Sequence, residues 1–295
     1  MTTRSQRGER LTWTAINVPL DSSGTGRGEE RAPDALMAAG LLERMRVGAV
    51  IETDARVRST DRDRRTGVIG ARQVREASMA VAAAVRHVLT GRRMPLVIGG
   101  DCTLLLGVFL GTAPGTRLWF VDGHADFLDG KTSSSGEAAD MELATLTGHG
   151  PPGLLPGPDA LVEPSGVVLL GHRPNELDPD VARENARIDR QIFALTAVEI
   201  RSRGARSIGE HIAAKQPHTP VWLHIDLDVL DEKALSAVTY PQPLGLDWQE
   251  LIELIHPLGT APQLAGVSVA DYNPDLDKDG EQARRIVDAL EVALT

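Results

Sequence analysis

Six short apolar runs, at residues 14–18, 96–98, 117–121, 166–170, 221–225 and 264–269, constrain this chain more than any other feature. They are nearly continuous in Val, Leu, Ile and Trp, with little polar alternation, which is the pattern of strands covered on both faces. Helical stretches lie between them. Residues 71–89 are rich in Ala, Val and Arg and end at Gly91, residues 198–214 are amphipathic, and residues 280–294 close the chain. Strands alternating with helices imply a parallel sheet with helices on both faces. In such a sheet functional residues gather at the carboxyl edge of the strands. Five of the runs lead directly into polar clusters: Gly99-Gly-Asp-Cys102, Asp122-Gly-His-Ala-Asp126, His172-Arg173, Asp226-Leu-Asp228, and Asp271.

The 295 residues are 42% hydrophobic, enough for a full core, but only 3% aromatic, so that core must rest on aliphatic side chains. A net charge of −10 argues against a nucleic-acid partner and suits a cationic small substrate or bound metal ions. Cys102 is the one cysteine, which excludes an internal disulfide and fits a reducing compartment. Residues 1–10 lack an apolar segment of the signal-peptide kind. No apolar run approaches the roughly 20 residues that span a bilayer. The expectation is a cytoplasmic protein without a membrane partner. No linker or internal repeat interrupts residues 1–295, so one domain is expected. The loops at 21–28 and 129–136 match neither G-x-x-x-x-G-K-[ST] nor G-x-G-x-x-G, and both are read as rim loops over the strand ends.

In Asp122-Gly-His-Ala-Asp126 three potential ligands recur at alternate positions. If the strand continues through them, Asp122, His124 and Asp126 share one face. His224, Asp226 and Asp228 repeat the pattern. Four carboxylates converging on one point repel and raise one another's pKa unless cations neutralise them. Two divalent ions would do so, and a carboxylate-rich set with an imidazole favours harder ions such as Mn²⁺. The alternative is a pair of acidic loops that merely solvate a strand end.

With these clusters in order, the sequence resembles the ureohydrolase family of arginase, agmatinase and their relatives, over nearly its whole length. Residues 26–33 followed by Leu36 resemble the family's early G-x-x-x-G-P-x-x-L segment, and Gly99-Gly-Asp-Cys-Thr103 is similar to GGDHS. Asp122-Gly-His-Ala-Asp126 is similar to DAHxD, residues 226–231 to DxDxxDP, and Asp271-Tyr-Asn-Pro274 to E-x-N-P. The resemblance implies a three-layer α/β/α fold around a central parallel sheet of about eight strands. It also implies two divalent metal ions, manganese first, with iron, cobalt or zinc as alternatives. Asp122 and Asp226 would bridge them, His124 and Asp228 would complete one site, and Asp126 with residue 102 the other. A hydroxide between two such ions attacks a guanidinium carbon, giving urea and an amine. Asp271 stands where a carboxylate bonds the guanidinium, and the family often assembles as trimers or hexamers.

Three positions depart from the family pattern. Cys102 replaces the GGDHS histidine. It is either a softer thiolate ligand or a small buried hydrophobe. After Ser135-Gly136 the family's Asn and proton-shuttle His are missing, the latter position falling on Ala139 and the Asn after the metal motif on Leu128. Unmodified L-arginine is therefore not the expected substrate. Ser135 and Glu137 are taken as candidate substrate and site residues, while Asp140 and Glu142 are expected to be solvated loop carboxylates. His224 falls where the family has a small residue, as a hydrogen-bond partner of a metal ligand, a substitute proton shuttle, or an ordinary buried histidine. Glu176, close to His172 and Arg173, is a further candidate substrate contact. The expected reaction is urea release from a guanidino compound. The competing readings are hydrolysis of a formimidoyl or other amidine C–N bond, a deacetylase on a related fold, and a catalytically silent metal-binding protein.

Overall fold

The computed structural model describes residues 12–157, 160–215 and 217–295. The N-terminal stretch read as lacking a signal peptide lies outside them. The strands are β1 (Trp13–Val18), β2 (Ala49–Glu52), β3 (Met94–Gly99), β4 (Arg117–Val121), β5 (Val167–His172), β6 (Phe193–Thr196), β7 (Val221–Asp226) and β8 (Leu264–Ala270). They form one sheet in the order β2-β1-β3-β8-β7-β4-β5-β6, and every pairing is parallel. The helices are α1 (Ala32–Ala38), α2 (Leu41–Arg44), α3 (Ala71–Thr90), α4 (Leu104–Gly111), α5 (Glu142–Leu146), α6 (Pro179–Asn185), α7 (Ala197–Arg203), α8 (Ala205–Ala213), α9 (Trp248–Gly259) and α10 (Glu281–Leu294).

Alternation along the buried strands divides the apolar side chains between two cores. Trp119 and Val121 of β4 face a core shared with α7 to α10, while Leu118 and Phe120 face the core under α3, α4 and α5. This is the expected three-layer arrangement, and it explains why the interior strands read as continuous apolar runs.

Two strands escape that signal. β2 and β6 are the edges of the sheet, have four residues each, and are only partly buried. The amphipathic stretch at 198–214 is two helices rather than one. Gly204, at φ +87°, ends α7 and turns the chain into α8, a backbone state that costs glycine least. The N-terminus of α7 is fixed by a capping box between Thr196 and Glu199.

No helix among the described residues is long and apolar enough to cross a membrane. The connection from β3 to β4 jumps over the positions that β7 and β8 fill when the chain returns. The carboxyl ends of β3, β8, β7 and β4 are thereby made neighbours, and a crevice opens where the winding direction switches.

Candidate metal centre

That crevice holds a cavity of about 210 Å³. Cys102, Asp122, His124, Asp126, Asp226 and Asp228 all line it, together with Asp271. Each arrives on a segment leaving one of the four central strands: Cys102 after β3, Asp271 after β8, Asp226 and Asp228 from β7, and the remaining three after β4.

Convergence is not achieved by strand alternation, as the spacing suggested. β4 stops at Val121, and Asp122 to Asp126 form a loop. Asp122 Oδ1 accepts the His124 N–H at 2.6 Å, curling the loop, and Asp126 takes φ +47°. Likewise β7 ends at Asp226, and Asp228 lies in a 3₁₀ turn whose N–H donates to Asp226 Oδ1 at 2.8 Å. A carboxylate accepting the N–H two residues on holds the turn in the shape the site needs. Only His224 and Asp226 project together by strand period. Asp271 is also in the left-handed region, at φ +66°. Asp tolerates this conformation better than most residues, and such positions concentrate at functional sites.

The two ligand loops touch closely. A Cβ on Gly123 would lie 2.7 Å from the Asp228 carbonyl and 2.8 Å from Arg173 Nη1, so only glycine fits there. Arg173 is buried, and its guanidinium donates to the carbonyls of Asp228 (2.8 Å), Val229 (3.2 Å), Leu230 (3.0 Å) and Gln242 (3.2 Å). It clamps the loop that carries Asp228. On the β3 side, Asp101 accepts the N–H of Ser22 at 2.5 Å and of Thr103 at 3.1 Å, tying the loop after β1 to the Cys102 turn.

The electrostatics differ across the cavity. His124 Nδ1 is 2.8 Å from Asp228 Oδ2. Burial alone would lift the Asp228 carboxyl, but His124 holds it down at about 2, and Asp228 in turn raises His124 against the effect of burial. Asp122, Asp126, Asp226 and Asp271 are instead pushed well above the carboxylate range, by burial first and then by neighbouring carboxylates, which for Asp126 means Glu142 before any other. Burial also raises the Cys102 thiol, with Glu142 adding to it. Potential ligand atoms fall into groups whose members lie within 4.8 Å of one another: Asp122, His124 and Asp228; Asp122, His224 and Asp226; Cys102, Asp226 and Asp271; Cys102, Asp126 and Glu142. Asp122 Oδ2 and His224 Nε2 are buried without a hydrogen-bond partner. Mutually raised carboxylates, orphaned lone pairs and mixed O, N and S donors are the properties of a site that accepts cations.

His224 is fully buried, stacks on Phe120, and shares the Ser268 hydroxyl (2.8 Å), which also accepts from Trp222 Nε1. Burial drives its pKa down to about 3, so the ring is neutral. Cys102 Sγ donates to the Ala139 carbonyl at 3.2 Å, and its backbone N–H donates to Asp271 Oδ2 at 3.1 Å.

At the rim, Ser135 donates to Asp140 at 2.7 Å. Glu137 is gripped by Arg27, whose two terminal nitrogens donate at 3.0 and 2.7 Å. The Tyr240 hydroxyl accepts from Arg27 at 3.1 Å. Arg27 comes from the loop at 21–28, wound around Asp21 through N–H donors of Ser23, Gly26 and Arg27. That loop is indeed a rim loop, and it delivers a cation to an otherwise acidic mouth.

Glu176 is not brought to the cavity. It sits exposed on the turn before α6, and Glu184, near the C-terminal end of α6, lines the wall instead. The nearest signal for Glu184 was its place on a helix entered from the His172-Arg173 cluster. Glu142 is not a solvated loop carboxylate either. It opens α5 and is wholly buried. The signal for it was the apolar company of Met141, Leu143, Ala144 and Leu146.

The profile of the family described as the Arginase family matches residues 12–294. An arginase of Bacillus caldovelox is 31% identical over 283 residues, covering 91% of this chain and 93% of that one. An arginase of Brevibacillus brevis is 31% identical with the same coverages of 91% and 93%. The crystal structure of an arginase from Bacillus subtilis superposes with a TM-score of 0.84 at 26% identity, covering 97% of this chain and 98% of that one.

Proposed function

Because the chain belongs to the arginase family, we propose that it is a binuclear metal-dependent ureohydrolase acting on a guanidino compound other than unmodified L-arginine. The observation that carries this reading is the meeting of six ligand-type side chains from three strand ends, with Asp271 from a fourth, in one small cavity. Asp122 and Asp226 would be shared between the ions, with His124 and Asp228 on one side and Cys102 and Asp126 on the other. The set suits manganese first and iron, cobalt or zinc after it, since one thiolate accompanies four carboxylates and an imidazole. When bound, such a pair of cations supplies a nucleophilic water at neutral pH and withdraws charge from the attacked carbon.

The remaining work falls to the chain's own groups. Asp271, held by the Cys102 N–H through Oδ2, lines the cavity where its carboxylate can accept from a guanidinium and set its plane. His224 is neutral. With Nδ1 on Ser268, its unpartnered Nε2 lies beside Asp122 and Asp226, where it can donate to one of those carboxylates. Glu137 and Ser135 stand at the mouth, where Glu137 can pass a proton between the cavity and water. The Arg27–Glu137 pair and Tyr240 select the end of the substrate that carries no guanidine. Ala139, in the cavity wall, offers only a methyl group where the family resemblance places a histidine. This supports a substrate other than plain arginine.

A urea-release screen with metal-loaded protein over arginine, agmatine, guanidinobutyrate and hydroxyarginine, beside a formimidoyl compound, tests the proposal. Urea from a guanidine, with arginine itself poor, is the expected result. Turnover of the formimidoyl compound alone, or of nothing, contradicts it.

A further inference from the structure

We propose that Glu142 is a seventh protein ligand of the centre, binding the ion on the Cys102 side. The inference rests on the binuclear reading above. Glu142 has no exposure to solvent, and its carboxylate oxygens make no well-formed hydrogen bond, with only the Asp126 carboxyl and the Cys102 thiol in reach. A buried charge in that state is strongly disfavoured unless a cation satisfies it or a proton neutralises it. It does not point into empty core. An Oε atom, Cys102 Sγ and an Asp126 oxygen lie within 4.8 Å of one another. Atoms bound about 2.0–2.3 Å from a single ion can stand at most about 4.6 Å apart. Three donors spread evenly around one ion at such distances stand about 4.0 Å apart, so a closure of under about one ångström would place all three on one cation.

The chemistry of the Cys102 position gives the carboxylate a purpose. A thiolate softens an ion's shell and tilts selection towards zinc, whereas each added carboxylate oxygen tilts it back towards harder ions. Glu142 and Asp126 flank the one sulfur with hard donors. With Cys102 ionised they add three negative charges on this side, against the His124–Asp228 pair on the other. The local fold fixes Glu142 there. Leu143 and Leu146 of α5 are buried in the core that also holds α4, and Glu142, at the first position of that helix, lies beside Cys102 and Asp126.

The test compares wild type with Glu142→Gln and Glu142→Asp after loading with Mn²⁺, Zn²⁺ or Co²⁺, counting ions per chain and recording the cobalt absorption spectrum. Wild type is expected to hold two ions. Glu142→Gln is expected to keep one ion tightly and bind the second at least ~10-fold more weakly, the lower end of the range for lost support of a metal site. The loss should be greater for Mn²⁺ than for Zn²⁺, and the thiolate-to-cobalt band from Cys102 should fade with it. Glu142→Asp keeps the charge but shortens the reach, and should fall between the two. Metal-free Glu142→Gln should melt above metal-free wild type, because a buried unpartnered acid has been removed; this also shows that the variant folds. Two ions held with wild-type affinity, metal preference and cobalt spectrum in Glu142→Gln overturn the assignment of Glu142 alone. A wild type that holds fewer than two ions overturns the binuclear reading itself, and Glu142's role with it.

Discussion

The two halves of the cavity are built on opposite principles. On the His124 side the structure already contains an ion pair, with Asp228 held at about 2 and Arg173 clamping its loop. On the Cys102 side, Asp126, Glu142, Asp271 and the thiol are all raised, chiefly by burial. One half is organised without a metal; the other is coherent only with one. On the two-metal reading, an ion on the His124 side would displace the proton that His124 shares with Asp228, and an ion on the Cys102 side would displace the protons held by the raised groups.

The largest effect should come from removing a group that serves both halves. Asp226 is grouped with Asp122 and His224 on one side and with Cys102 and Asp271 on the other. Asp226→Asn should lower urea release by roughly 10³-fold or more, measured as kcat in saturating metal. A loss below tenfold would mean the halves do not share this carboxylate.

Arg173→Lys comes next. One ammonium cannot span four carbonyl oxygens, so the Asp228 loop should loosen and metal affinity fall by about 10–100-fold, read by chelator competition. A decrease confined to the Cys102-side ion would reverse the assignment of halves.

The contrast itself is sharpest in metal-free protein near pH 5. Asp228 falls from 3.8 to about 2 on folding, so its contribution is complete above pH 3.8 and is lost as pH falls through 2. His124 is raised from 6.5, so its contribution is complete below 6.5 and fades as pH rises through the higher folded value. His124→Asn should thus cost roughly 2 kcal/mol near pH 5 in urea unfolding, less outside that window. Asp126→Asn should do the opposite. Its folded pKa is raised, so the acid destabilises the fold as pH rises above 3.8, and its removal should raise the midpoint. Two changes of the same sign would erase the distinction between the halves.

The smallest effect belongs to the rim. Tyr240→Phe removes a hydroxyl that accepts from Arg27 and donates to Glu137 at 3.4 Å. One such bond is worth about 0.5–1.5 kcal/mol, so KM should move no more than ~10-fold with kcat unchanged.

The sequence carried the interior strands and the six polar side chains that meet in the cavity because both depend on short-range pattern: apolar runs buried on two faces, and polar residues at their ends. It lost β2 and β6, whose half-exposed four-residue edges have no such pattern. It lost the split at Gly204 because one glycine does not interrupt amphipathic spacing. The route to convergence was also illegible. Turns closed by Asp122 and Asp226, not strand period, aim the ligands. Glu142 and Glu184 depend on how α5 and α6 pack, which no local spacing encodes, and Glu176 was chosen by chain proximity where spatial proximity decided.

Metal content per chain, measured on protein purified without chelator and reloaded with Mn²⁺, tests the central claim most directly. The account predicts close to two ions in wild type and one in Asp126→Asn, the survivor being the His124-side ion that His124→Asn releases. One ion or none in fully loaded wild type would contradict it.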